Sequence, residues 1–280
     1  MSDYEPREKP MPKQLGVGEI PLSREQEGAL KGLVGKVESR ILSLYDLDGE
    51  NYPSAVDFLW LESDEKLKEL TGKESLNPRG GVITYTGKEG YGSVLYLAPA
   101  LRERLAYSTD ASRLSGHTQE LEDFITLIEE TSHFIYINYC MKNFEHTPEA
   151  ALTELIAVID QFMVVEGERE NSGFSLRMPQ GVVDALFRDN AAKYKPEFLG
   201  ATPAAYIIGH RLGVDYWNYL SLLSKDDRLQ ELRSFYRLNH GDQLEYLFYN
   251  LGLDVYTYSE FEGGELAELF KKLGLNLNSA

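Results

Sequence analysis

LEDFITLIEETSHFIYINYC, residues 121–140, decides how the chain is read, because it sets two acids and an imidazole into the middle of a helical apolar stripe. Leu121, Phe124, Ile125, Ile128, Ile135 and Tyr139 recur at helical spacing and predict a core helix. At about 100° per residue, Glu129 and His133 fall one turn apart beside that stripe, with Glu122 and Thr126 on the same strip and Glu130 further round. Burying an unpaired carboxylate costs several kcal/mol or forces it to take up a proton, so such a pair needs a reason. A bound metal ion would supply one.

Working outward on the N-terminal side, the polar run 108–120 is read as a loop, with Thr118 as helix cap and His117 as a surface histidine. Before it, LAPALRERLAYS predicts a short helix, and GVITYTGKEGYGSVLYL alternates β-branched and aromatic residues about a Gly-rich reversal, as a two-stranded hairpin does. GKEGYG lacks the spacing and the Lys-Ser or Lys-Thr of a phosphate-binding loop. DEKLKEL predicts a further turn or two of helix ending at Thr71 and Gly72, and Pro53 is expected to open a helix through Phe58 and Leu61. DLDGEN, residues 46–51, lacks the remaining ligands and closing glutamate of a calcium loop and is a turn. Ser23 with Gln26 forms a capping pair for an amphipathic helix through Leu30, Leu33, Val37, Ile41 and Leu44 that ends near Tyr45. Residues 1–22, proline-bearing and poor in large apolar side chains, are expected to form a flexible arm.

On the C-terminal side the central helix is expected to end near Asn143, and Thr147 and Pro148 to open a helix whose broad apolar face is Leu152, Leu155, Ile156, Ile159, Phe162 and Met163. GERENSGFSLRMPQG is polar and glycine-bearing, an exposed crossover. From about residue 182 the pattern is helical: Val182 to Phe187, then TPAAYIIGHRLGVDYWNYLSLL, RLQELRSFYRL, DQLEYLFYNLGL and GELAELFKKLGL.

The chain has 280 residues, enough for one domain with a proper core, and residues 23–280 are read as that domain. Its 45 acidic against 28 basic residues give a net charge of -17, which argues against nucleic acid or an anionic membrane as partner. No run approaches the roughly 18 apolar residues of a membrane span, and MSDYEPREKPMPKQ lacks the apolar centre of a signal peptide, so a cytoplasmic location is expected. Cys140, the single cysteine, is read as a buried thiol.

EETSH, residues 129–133, resembles the HExxH motif of zinc hydrolases with Glu in place of the first His. The order of hairpin, motif helix and glutamate-bearing helix is similar to that of the thermolysin-like gluzincin metallopeptidases, over roughly residues 80–240. The resemblance implies zinc held by Glu129, His133 and an acid of the next helix, with Glu130 as general base. Glu154 lies at the matching distance for that third ligand, whereas Glu166 falls closer to the apolar stripe, and both stand as candidates. AAYIIGHRLGVDYWNYL looks like the Tyr-x-x-Gly helix beside the site in many gluzincins, which makes Tyr206 or His210 the oxyanion donor. The expected fold is therefore α+β and mostly α, a zincin-like domain with a small antiparallel β element and a helical C-terminal half. The expected function is a metal-dependent hydrolase acting on a peptide or protein, or a catalytically degenerate relative. Two other classes read the same letters differently. Glu130 and His133 form the Glu-x-x-His of ferritin-like carboxylate metal proteins, although no second copy of that pair is found. The acidic surface alone would suit a non-catalytic protein that binds a basic partner.

Overall fold

The computed structural model describes residues 22–50, 52–77, 79–87, 90–108, 118–170 and 204–250, with 86–87, 90–91, 107–108, 118–121, 166–170, 204–208, 211 and 249–250 described as backbone only. Helix α1, Arg24–Tyr45, opens on Ser23, whose hydroxyl accepts from Gln26 N–H while the Gln26 side chain accepts from Ser23 N–H, as the capping pair requires. It ends at Asp46, which turns into the left-handed region at φ 59°. Glu38, buried on α1, accepts from Ala55 N–H at 2.6 Å and from Ser54 Oγ at 2.9 Å, and so ties the following segment back to the helix.

That segment departs from the helix expected after Pro53. One turn forms at residues 55–58, and the chain then extends, because Leu95 N–H donates to Phe58 O and Trp60 N–H to Leu95 O. Backbone pairing with a strand far along the chain outweighs the local helical spacing of Phe58 and Leu61. Helix α2, Asp64–Thr71, is capped by Ser63 and stopped by Gly72 at φ 69°, a conformation that glycine adopts without strain.

The hairpin is present as β1, Gly80–Gly87, paired antiparallel with β2, Gly90–Leu97. Its register sets Val82 opposite Leu95 and Ile83 opposite Val94, and alternation along the strands sends the side chains to two different cores. Leu95 and Leu97 join the main core, while Ile83, Val94 and Tyr96 meet Leu67 of α2 in a smaller cluster.

Helix α3, Pro99–Ser108, precedes α4, Thr118–Phe144, which spans 27 residues and packs on α1, α3, both strands and α5. Helix α5, Ala150–Glu170, lies between α4 and α6, Ala204–Leu220. Helices α7, Lys225–Tyr236, and α8, His240–Glu245, complete the layer and run into a π-helical turn at Tyr246–Asn250. Tyr236 stacks on Tyr45 at 3.8 Å between ring centroids and meets Tyr139 at 4.7 Å, which joins α7 to α1 and α4. Among the described residues the architecture is mostly α with one small antiparallel sheet, the α+β class expected. Among the described residues no helix is long and apolar enough to cross a membrane. The expected N-terminal arm up to residue 21, the helix at Val182 to Phe187 and the terminal GELAELFKKLGL lie outside the described residues.

Candidate metal centre

Helix α4 delivers Glu129 and His133 to one face, one turn apart, because a 3.6-residue period stacks i over i+4. Both point toward α5, where Glu154 meets them. One ligand atom from each of Glu129, His133 and Glu154 lies within 4.8 Å of the others. His133 Nε2 stands 3.5 Å from Glu154 Oε2. Two ligands of one tetrahedral ion at about 2.1 Å each stand about 3.4 Å apart, so this spacing suits a shared ion.

The two atoms face each other at ion-pair distance without a hydrogen bond. His133 Nε2 and Glu154 Oε2 are both buried, and no hydrogen bond is made by either atom. Buried polar atoms are almost always hydrogen-bonded, and two facing atoms without such a bond could share an ion as a common partner. The oxygen and nitrogen donors present fit a divalent transition metal.

The surroundings hold these side chains in place. Gln161 Nε2 donates to Glu129 Oε2 at 2.9 Å, which fixes the carboxylate from the α5 side. His133 Nδ1 lies 3.3 Å from Glu130 Oε2, so when a metal displaces one imidazolium proton the remaining one would stay on Nδ1 and turn the Nε2 lone pair toward Glu154. Glu130 itself is buried against the start of β1. A Cβ on Gly80 would come within 3.2 Å of Glu130 Cγ and 3.0 Å of Tyr96 O, so only glycine leaves that room. His210, from α6, places Nε2 3.3 Å from the same Oε2 of Glu154.

Electrostatics follow from this crowding. Burial, then the charges of Glu130 and Glu154, push the Glu129 carboxyl up to about 7. Burial also works against ionisation of Glu154, yet the imidazoles of His133 and His210 outweigh it and hold that carboxyl down at about 2. For His133 burial opposes the charged form, and the acids Glu154 and Glu130 overcome it and raise its pKa well above the ordinary value. Without a metal, then, the site keeps its balance as an imidazolium and carboxylate pair beside an easily protonated acid. A metal would take the place of those protons.

The structure thus brings together Glu129, Glu130, His133, Glu154 and His210. The side chains of Glu166 and Tyr206 lie outside the described residues, although α5 and α6 carry their backbones. Sequence reasoning passed over three participants. Gln161 sits on the face of α5 turned to α4, seven residues after Glu154, and carried no charge to draw notice. Asp160, fully buried, accepts from Tyr45 Oη at 2.6 Å and from Ser132 Oγ at 2.5 Å, joining α1, α4 and α5 next to the site. The third is Gly213. With Gly209 it forms Gly-x-x-x-Gly, a close-approach signal on α6 that was legible in the letters.

No family model, no curated protein and no solved structure matches this chain.

Proposed function

We propose that the chain is a metal-dependent hydrolase of peptide or amide bonds, with Glu129, His133 and Glu154 as ligands of one divalent ion. Zinc suits the set of imidazole and carboxylate donors. What supports the reading is a convergence: two groups singled out by their spacing on α4 face a third, from α5, across a pair of buried atoms 3.5 Å apart without a hydrogen bond.

When bound, the ion would polarise the scissile carbonyl and make water a nucleophile near neutral pH. The chain's own residues do the rest. Glu130 Oε2 holds the Nδ1 proton of His133 and thereby fixes the ring for ligation. The HExxH resemblance also makes Glu130 the base, which would take a proton from the attacking water and return it to the leaving amine. Gln161 keeps Glu129 from swinging out of line. The gluzincin resemblance offers Tyr206 or His210 for the oxyanion role.

One observation favours a second reading, a metal-holding relative without hydrolysis: Glu130 is already engaged by His133 Nδ1 at 3.3 Å. Elemental analysis of the purified full chain, beside Glu129→Ala and His133→Ala, tests the metal site. Stoichiometric zinc in the parent and its loss in both variants is expected, and a parent chain that never retains a transition metal refutes the proposal. Cleavage of a fluorescent peptide library by the zinc-loaded parent and by Glu130→Gln separates the two readings. Turnover that is lost in Glu130→Gln with zinc retained marks the hydrolase, and a zinc-loaded parent with no turnover marks the non-hydrolytic relative.

A further inference from the structure

Helix α6 crosses α5 at a separation set by backbone rather than by side chains. A Cβ at Gly209 would stand 2.3 Å from Ala151 O and 2.5 Å from Glu154 Cβ, and one at Gly213 would stand 2.7 Å from Val158 Cβ. The residue beside that contact is His210, and the crossing brings its Nε2 to 3.3 Å from Glu154 Oε2. The imidazole is buried, so the approach is not the chance posture of a surface side chain.

Glu154 Oε2 consequently lies between two imidazoles, His133 on the α4 side and His210 on the α6 side. Only the first belongs to the group whose atoms lie within 4.8 Å of one another. Building on the metal reading above, we infer that His210 is a positioning residue: through the 3.3 Å ion-pair contact of its Nε2 it holds the Glu154 carboxylate in ligating orientation and does not itself ligate. A carboxylate on a flexible two-carbon stem loses rotamer freedom when it binds an ion, and a partner that has already fixed it lowers that cost. The glycines of α6 serve this arrangement. They let a helix carrying no ligand come close enough to orient one.

The experiment uses the full chain with zinc itself as probe, its affinity measured by competition with a chromophoric chelator. His210→Ala is expected to weaken zinc binding about 10- to 100-fold, the usual effect of losing an outer-shell partner. His210→Gln retains a donor of similar reach and is expected to recover most of that loss, which a merely space-filling role would not produce. Cobalt-substituted parent and His210→Gln should share the positions of their visible absorption bands, since the ligand set is unchanged. His210→Gln also carries the test if the alanine variant unfolds. Parent-like zinc affinity in His210→Ala overturns the inference, and so does a shift of the cobalt bands in His210→Gln, which would make His210 a ligand. A parent chain that binds no zinc defeats the metal reading beneath it, an outcome distinct from either.

Discussion

Replacing Gly209 with alanine tests the contact on which the geometry of the site depends. The new methyl carbon would sit 2.3 Å from Ala151 O and 2.5 Å from Glu154 Cβ, where ordinary contact begins at 3.4 Å. Neither atom is the free end of a flexible side chain, so α6 must back away from α5 by about 1 Å. Overpacking of this kind costs about 3 kcal/mol at the upper end, and the better helix propensity of alanine returns about 1 kcal/mol, leaving a net loss of about 2 kcal/mol. Urea unfolding followed by circular dichroism measures it. Gly28→Ala and Gly32→Ala provide the control, since both lie in the interior of α1 with nothing within 4 Å of an added Cβ. They should gain up to about 1 kcal/mol each. Because the displaced atoms include Glu154 Cβ, the proposed metal site predicts that Gly209→Ala also weakens zinc binding, whereas the α1 variants leave it unchanged. A Gly209→Ala chain that is stabilised like the α1 controls and binds zinc like the parent would refute the close crossing of α5 and α6.

The remaining predictions concern other parts of the core. Burial raises the Asp160 carboxyl from 3.8 to about 7, against the opposing hydrogen bonds of Ser132 and Tyr45, so the fold favours the neutral acid. Its contribution to stability is complete below pH 3.8 and is lost as pH rises through about 7. The parent should therefore lose up to about 4 kcal/mol relative to Asp160→Asn between pH 4 and pH 8, and parallel stability curves for the two would contradict this assignment. Gly80→Ala places a Cβ 3.2 Å from Glu130 Cγ and should lower zinc affinity several-fold by pushing Glu130 off His133. Unchanged affinity would remove Glu130 as the anchor of that ring. Burial pushes the Cys140 thiol up to about 12, so a disulfide reagent at pH 8 should label it only after unfolding. Rapid labelling of the native chain would mean that the C-terminal end of α4 is not packed as described.

What could be read from the letters was what the helical period alone decides. The stripe of Phe124, Ile125 and Ile128 made α4 a buried helix, and the four-residue step from Glu129 to His133 put both on one face without reference to any other element. The capping box at Ser23 and the alternation in the hairpin were legible for the same reason, since each is a rule about neighbours in the chain. The third member of the cluster was legible only as one of two candidates, Glu154 at the matching distance and Glu166 nearer the apolar stripe. On a helical wheel Glu154 lies away from the stripe of Leu152, Ile156 and Ile159, which suits a helix buried on one side. Helix α5 is instead covered by α4 and by α6, so its second face is also interior and turns Glu154 inward.

Only the tertiary structure could decide that, because a wheel records which residues share a face and not how many faces are covered. The same holds for Phe58 and Leu61. Their spacing suits a helix, but the backbone hydrogen bonds offered by Leu95 draw Phe58 and Trp60 into extended pairing. The sequence by itself determined that Glu129 and His133 share one face of a core helix. Packing of α6 onto α5 through Gly209, and of β1 against Glu130 through Gly80, determined what those two groups face. Local spacing is set by covalent geometry, whereas the partners of a buried polar group are set by whichever distant element excludes water from it.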